Sequence, residues 1–342
     1  MIAPVLARLY DPQPLAPSDA RRAFDALLDP GRSEAERVAV LAVLTARPDS
    51  TADLAAFARE MRRRARPFPV PRGDGAVDLC GSGGAPRRSF NVSTVSAFVV
   101  AAAGVPVVKH GNRSARGPCG SSDVLEALGL PVVDDLGFAR RSYRKFGLAF
   151  LHAPLFHPAT RAVGEARRLL GVPTLFNRLG PLSNPGNVPF QVVGVPDRAT
   201  ARRTAEVLAR LGTRRSLAIT APPGYDEFSP TGTTHGFRQD GPRLRPFEVR
   251  AVEYLAPDDR RGGWGPLDPP HAAAEAERLL AGGGGARRGS VLLTSGASIW
   301  IAGRAATLRD GIARAREALD LGRVERLLFD LRALAGRTGG RG

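Results

Sequence analysis

Between residues 76 and 220 one local theme recurs: a short apolar run, then glycine, then a stretch with helical spacing. That alternation is the signature of an α/β unit, in which helices cover a central sheet. The candidate strands are Ala76 to Leu79, Val105 to Val108, Leu148 to Leu151, Gln191 to Val195 and Ser216 to Thr220. The chain before them is written differently. Ser33 and Glu36 form a capping box ahead of Val38, Leu41 and Leu44, and Ser50 precedes Leu54, Phe57 and Met61 at helical spacing. Phe24, Leu27 and Leu28 predict an earlier helix, stopped by Asp29 and Pro30. No strand pattern interrupts these helices, and Pro67, Pro69 and Pro71 mark a hinge after them. Gly282 to Gly285 reads as a loop, while Val324, Leu327, Leu328 and Leu331 mark a closing amphipathic helix. No internal repeat is visible.

At 342 residues the chain exceeds what one hydrophobic core usually serves, which favours two domains. With 43% hydrophobic and 24% charged residues the composition is globular, and 39 Gly with 29 Pro follow no fibrous period. The expected fold class is α/β: a small N-terminal helical domain plus a larger α/β domain with a central sheet flanked by helices.

The net charge of +16 raises nucleic acid as a partner, because an excess of cations is the footprint of phosphate binding. Only Lys109 and Lys145 are lysines, and the remaining cations are arginines spread from end to end, many beside acids. The excess therefore reads as compositional. Arg62, Arg63, Arg64 and Arg66 form the one dense run, expected to be a solvated helix end. Two cysteines, Cys80 and Cys119, both in expected loops beside glycine, imply a reducing compartment without a disulfide framework or zinc pattern. The first residues lack the order of a signal peptide, and the longest apolar run, Ala97 to Val108, is too short to span a bilayer. A cytoplasmic protein with no membrane partner is expected.

Three constellations carry chemistry. The first strand runs into Asp78, Leu79, Cys80, Gly81, Ser82, Gly83 and Gly84, and Phe90, Asn91, Val92, Ser93 and Thr94 open the helix beyond. A glycine loop lets backbone N–H groups approach a phosphate, and a helix start adds free donors and partial positive charge. The second is Lys109, His110, Gly111, Asn112, Arg113 and Ser114, with Ser121 and Ser122 following. Keeping a lysine there in an arginine-rich chain points to a compact ammonium where a guanidinium fork would not fit. The third is Asp226 and Glu227, an adjacent acid pair beyond a strand end, suited to Mg²⁺ if phosphates lie close.

Taken together these segments resemble the anthranilate phosphoribosyltransferase family. The likeness runs through the Gly-Ser-Gly-Gly loop, Phe-Asn-Val-Ser-Thr, Lys-His-Gly-Asn-Arg-Ser, residues Ser121 to Gly129, and His157-Pro158-Ala159. It continues through Phe176-Asn177-Arg178-Leu179-Gly180-Pro181-Leu182-Ser183-Asn184-Pro185 and the Asp226-Glu227 segment. The resemblance implies a helical domain over residues 1–70, joined by a later segment around 160–185, an α/β domain over 73–342, and a homodimer paired through the helical part. It implies phosphoribosyl pyrophosphate on Gly81, Gly83, Gly84, Ser89, Asn91, Ser93, Thr94, Lys109, His110, Gly111, Asn112, Arg113, Ser114, Gly117 and Ser121. Mg²⁺ would be held by Ser93, Asp226 and Glu227, and anthranilate by Gly81, Asn112 and Arg167, the last matching better than Arg168. Lys109, Asn112 and Arg167 would carry catalysis, with His110 shaping the pocket. The implied reaction is displacement of pyrophosphate from ribose C1 by the anthranilate amine.

The chain departs from the family pattern on the pyrophosphate side. Ala85 stands where the family has aspartate, Pro86, Arg87 and Arg88 follow it, and Arg116, Gly117 and Pro118 replace a serine pair and a lysine. More electropositive loops predict weakened Mg²⁺ dependence. The alternatives are transfer to another aminobenzoate, or a non-catalytic nucleic-acid-binding relative that would have no reason to keep the glycine loop, acid pair and Arg167. Pro131 to Asp135 superficially matches the phosphate motif of a commoner transferase class, but Leu136-Gly137-Phe138 follows, so a strand or helix-cap turn is expected.

Overall fold

A computed structural model of the protein describes residues 2–48, 50–71, 73–114 and 117–336. Four helices open it: α1 (Ala3–Tyr10), α2 (Pro17–Leu28), α3 (Glu34–Ala46) and α4 (Thr51–Arg64). The cap of α3 forms as its sequence dictates, with Ser33 Oγ accepting from the Glu36 N–H at 3.3 Å and the Glu36 carboxylate accepting from the Ser33 N–H at 3.0 Å. Ser50 caps α4 by accepting from the Asp53 N–H at 2.9 Å. Helix α1 was not among the expected elements; proline in its first turn and buried Leu9 anchor it.

The remainder alternates strands and helices: β1 (Val77–Gly81), α5 (Val92–Ala102), β2 (Val107–Gly111), α6 (Ser121–Ala127), α7 (Leu136–Phe146) and β3 (Leu148–His152). Short helices α8 (Ala153–Phe156), α9 (Gly164–Leu170) and α10 (Leu175–Leu179) lead to β4 (Phe190–Gly194), α11 (Arg198–Arg210) and β5 (Arg215–Thr220). Then come β6 (Thr233–Asp240), β7 (Arg243–Arg250), α12 (Pro269–Leu280), α13 (Ala286–Ile301), α14 (Leu308–Asp320) and α15 (Arg323–Gly336). Val324, Leu327, Leu328 and Leu331 are all buried on α15, as expected. The Pro131–Asp135 segment is the cap turn of α7, with Asp135 accepting from the Phe138 N–H at 2.9 Å.

Among the described residues one sheet orders its strands β3-β2-β1-β4-β5-β6-β7, parallel from β3 to β5 and antiparallel beyond. Two corrections concern strand ends. β1 and β2 reach Gly81 and Gly111, so Cys80 is buried in a strand rather than set in a loop, and Lys109 and His110 belong to β2. Polar residues enter a central parallel strand when buried partners satisfy them, which a strand-by-hydrophobicity reading does not foresee. The hairpin β6–β7 was also missed, although Thr234 and Gly236 alternate with more exposed neighbours and the two-residue turn Gly241-Pro242 joins the strands.

Helix α5 is apolar and buried almost all round, and its Ser96 Oγ donates to the Val291 carbonyl of α13 at 3.4 Å. One apolar cluster centres on it, on β1, β2 and α13. A second joins Phe24, Leu41 and Phe57 of the early helices to Leu175 and Phe176 of α10, then continues into Val193 of β4 and Leu208 of α11. The helical part is thereby seated on one face of the sheet, with α9 and α10 packed into it.

Candidate active site

The chain leaves β1 for β2 and β3 on one side, then returns to β4 on the other side of β1. Strand order reverses there, and the carboxyl ends of such strands open a crevice that takes ligands. A cavity of about 360 Å³ lies in that place. Gly81, which lines it, ends β1 and pairs with Gly194 at the end of β4. The Asp226–Glu227 loop crosses directly over Gly194, where a Cβ would run into the Asp226 backbone carbonyl, so glycine is required by that close approach.

The glycine loop bends away from β1, with the Ser82 N–H donating to the Gly194 carbonyl at 2.9 Å and the Arg87 N–H to the Gly224 carbonyl at 3.2 Å. It delivers the chain to Asn91, the cap residue of α5, whose Nδ2 is spent on the Cys119 carbonyl at 3.3 Å rather than on its own helix. Ser93 and Thr94 stand in the first turn, facing the cleft. On the neighbouring strand Lys109 is 3% exposed, and its ammonium donates to the Leu79 carbonyl at 2.5 Å and to Ser93 Oγ at 3.1 Å. Below it lies Asp78, which accepts from the His110 N–H at 3.2 Å and from Gln191 Nε2 at 3.4 Å. Burial raises the Asp78 carboxyl, offset by the Lys109 charge, and burial lowers the Lys109 ammonium, offset by Asp78.

Past β2 the loop is clipped to α6. Ser121 Oγ donates to the Asn112 carbonyl and accepts from the Asn112 N–H, both at 3.0 Å. Asp123 accepts from the N–H groups of Gly120 and Ser114 at 2.7 and 3.1 Å. Arg113 lines the cleft, yet its guanidinium bridges Asp123 and Glu126 at 2.9 and 2.7 Å. It is thus an ion-paired rim group.

Across the cleft, Glu227 faces the N–H and hydroxyl of Ser93 at the start of α5, which favour its ionised form. Burial and the adjacent Asp226 push its carboxyl up to about 8, and burial raises Asp226 as well. Two raised carboxylates beside a hydroxyl form an all-oxygen donor set that a hard divalent cation would relieve. No group of three or more His, Cys, Asp or Glu suited to a metal occurs among the described residues, so a cation here would keep most positions for water or ligand oxygens.

The wall opposite comes from the helical part. Arg167 of α9 points into the cleft over the Phe176 ring, 5.7 Å from its centroid, whereas Arg168 faces outward and pairs with Glu165. Burial lowers the Arg167 guanidinium, and no carboxylate pairs with it among the described residues. His110 and His157 approach with ring centroids 5.0 Å apart. Burial drives them down to about 3 and about 4, so both are neutral, and the Nε2 of each has no hydrogen-bond partner.

Of the residues expected to form the site, Gly81, Gly83, Ser89, Asn91, Ser93, Thr94, Lys109, His110, Gly111, Asn112, Arg113, Ser114, Ser121, Arg167, Asp226 and Glu227 all line this one cleft. Gly84 and Gly117 do not; Gly84 is turned to solvent, and Gly117 lies behind the rim, its N–H donating to Ser114 Oγ at 2.6 Å. His157 and Asn177 line it without having been assigned to it, though both stood in the quoted motifs. Arg88 lines it too, whereas Arg87 does not, and Arg116 lies outside the described residues. The arginine run of α4 also needs correction. Arg62 turns inward to donate to the Leu182 carbonyl at 2.8 Å, lowered by burial to about 10, and Arg63 and Arg64 bond Glu60, while Arg63 and Arg66 stay exposed.

A family profile described as "Glycosyl transferase family, a/b domain" matches residues 73–324. A protein of Methylobacterium radiotolerans called anthranilate phosphoribosyltransferase is 40% identical over 332 residues, 96% of this chain and 94% of that one. The chain belongs to the anthranilate phosphoribosyltransferase family. It is therefore a glycosyltransferase-type enzyme by descent, and solved structures agree with that placement. The family's Thermus thermophilus member is 34% identical and superposes with a TM-score of 0.88, covering 97% of this chain and 99% of that chain. The Saccharomyces cerevisiae member, solved in complex with PRPP and Mg, is 20% identical and shares the fold at a TM-score of 0.82, covering 98% of each chain. Among the described residues no helix is long and apolar enough to cross a membrane.

Proposed function

We propose that this family member transfers the phosphoribosyl group of 5-phosphoribosyl 1-pyrophosphate to the amine of anthranilate, releasing pyrophosphate. The observation that carries the reading is a single cleft with two unlike ends. One end has the glycine loop, the α5 N-terminus and Lys109; the other has the unpaired Arg167 beside two neutral histidines.

The donor's phosphates lie on the backbone of Gly81 and Gly83, the hydroxyls of Ser89, Ser93 and Thr94, and the side chain of Asn91. Lys109 stabilises charge developing on the departing pyrophosphate, since a buried ammonium acts at low dielectric and is already held in place by Leu79 and Ser93. Mg²⁺, held by Ser93, Asp226 and Glu227, would supply further charge neutralisation at the phosphate oxygens. Anthranilate lies at the far end, its carboxylate clamped by Arg167 through two parallel hydrogen bonds and its amine aimed by Asn112. An aryl amine is neutral at pH 7, so its lone pair forms the N–C1 bond as the C1–O bond breaks. The electron pair leaves with pyrophosphate, and the surplus amine proton passes out afterwards. No strong base is required, which agrees with His110 and His157 being held neutral and far from their ordinary range.

We further propose that residues 1–70 with 160–185 form the acceptor-side unit and 73–342 the donor-side unit. The helical part pairs two copies into a homodimer in the cytoplasm; exposed Tyr10, Leu169 and Val172 all lie in it. Purified protein given phosphoribosyl pyrophosphate and Mg²⁺ should extinguish anthranilate fluorescence. Unchanged fluorescence with anthranilate, alongside turnover of another aminobenzoate or tight salt-sensitive DNA binding, would overturn the assignment.

A further inference from the structure

Arg88 stands apart from the other arginines of this chain. It lines the cleft on the side of the acid pair, and no carboxylate lies within ion-pair distance of it among the described residues. Its positive charge still reaches Asp226, whose carboxyl it favours in the ionised form. The side chain is not free in solvent, because it lies against Gly117 of the rim loop. A Cβ at Gly117 would sit 2.7 Å from one Arg88 guanidinium nitrogen, 3.0 Å from Ser114 Oγ and 3.3 Å from Arg88 Cδ, so a side chain at 117 would push the guanidinium from its present place. The loop is pinned there by the Gly117 N–H donating to Ser114 Oγ at 2.6 Å. Two segments therefore cooperate: the glycine loop supplies the guanidinium and the rim loop supplies its slot. Next to it Ala85 brings no charge of its own, and Arg87 points elsewhere. Arg113, by contrast, is already committed to Asp123 and Glu126.

We propose that Arg88 is a pyrophosphate-binding residue of this enzyme and that Gly117 is its positioning partner. The guanidinium fork matches two oxygens of one phosphate and is permanently charged, so it holds the leaving group with or without a cation on the acid pair. This rests on the transferase reading, and inorganic pyrophosphate separates the two. Calorimetric titration of pyrophosphate into the protein in EDTA should show binding, weakened about tenfold or more in Arg88→Ala and less in Arg88→Lys. In steady-state assays Arg88→Ala should raise KM for phosphoribosyl pyrophosphate by a similar factor while KM for anthranilate stays put. Gly117→Ala displaces the guanidinium and should cause part of that loss, with no further loss when added to Arg88→Ala.

Thermal melting at the wild-type temperature identifies the properly folded variants, and Arg88→Gln replaces any that melts early. Pyrophosphate affinity in EDTA that is the same in wild type and Arg88→Ala overturns the proposal, as does an equal rise in both KM values. Arg88-dependent pyrophosphate binding without any transfer to anthranilate supports the anion site and refutes the transferase reading alone.

Discussion

Arg167 and Arg168 are adjacent in sequence and opposite in circumstance. Arg167 is unpaired and faces the cleft over Phe176; Arg168 is exposed and bonded to Glu165. Arg167→Ala should cost about 1.5–3 kcal/mol of acceptor binding, a roughly ten- to hundredfold rise in KM for anthranilate. Arg168→Ala should leave KM within twofold or so, because exposed ion pairs contribute about 0–1 kcal/mol. Equal effects would sink the assignment. His110 and His157 give a second prediction at this scale. Both are held below their ordinary value, down to about 3 and about 4, chiefly by burial. Unfolded histidines take up protons near pH 6.5, so on acidification the unfolded state binds protons that the native state refuses. The stability they contribute is complete above about pH 6.5 and is lost as pH falls towards 4 and then 3. Urea denaturation at several pH values should show this decline, and His157→Gln should make it shallower by one proton; an identical slope would contradict it.

At the scale of elements, local chemistry and long-range constraint part company. The cap of α3 is local: Ser33→Ala should destabilise by about 1 kcal/mol, measured by chemical denaturation, with little change in turnover. Gly194→Ala tests the opposite case. A methyl group at the end of β4 collides with the Asp226 backbone, so the 226–227 loop must lift. Misplacing catalytic groups by about 1 Å can cost a hundredfold. Activity should therefore fall steeply and saturate only at higher Mg²⁺, and the melting temperature should drop too, because the collision is with backbone; an unchanged Mg²⁺ titration would refute it. The same division explains what was legible. Caps, helix starts and the strands around Val77, Leu148 and Val192 follow from nearest neighbours. The extra residues of β1 and β2 and the β6–β7 hairpin do not, because Lys109 is tolerated in a strand only through Asp78, Leu79 and Ser93, and β6 becomes a strand by pairing with β5.

Across the whole molecule many of the arginines behind the +16 charge pair with nearby acids, as Arg32 does with Glu36 and Arg202 with Glu206. Within the densest run, Arg62 is turned into the protein, and Arg63 and Arg64 are tied to Glu60. The proposed dimer belongs to this scale too. Leu169 and Val172, 62% and 54% exposed, are large apolar side chains on the helical part. Leu169→Asp with Val172→Asp should convert a dimer to a monomer in light scattering, without lowering the melting temperature of the monomer. An unchanged mass would place the interface elsewhere.

From sequence alone came the α/β class, the helical opening, the family and about half of the residues that line the cleft, because glycine loops and helix caps are encoded by neighbouring residues. Tertiary structure decided which of those residues are available. Burial neutralised the two histidines, neighbouring acids claimed Arg113, packing turned Arg62 inward, and Arg88 came to lie against Gly117, where a side chain would displace it. Those outcomes depend on groups far apart in the chain, and only the folded sheet, with its strand order reversed between β1 and β4, brings them within reach of each other.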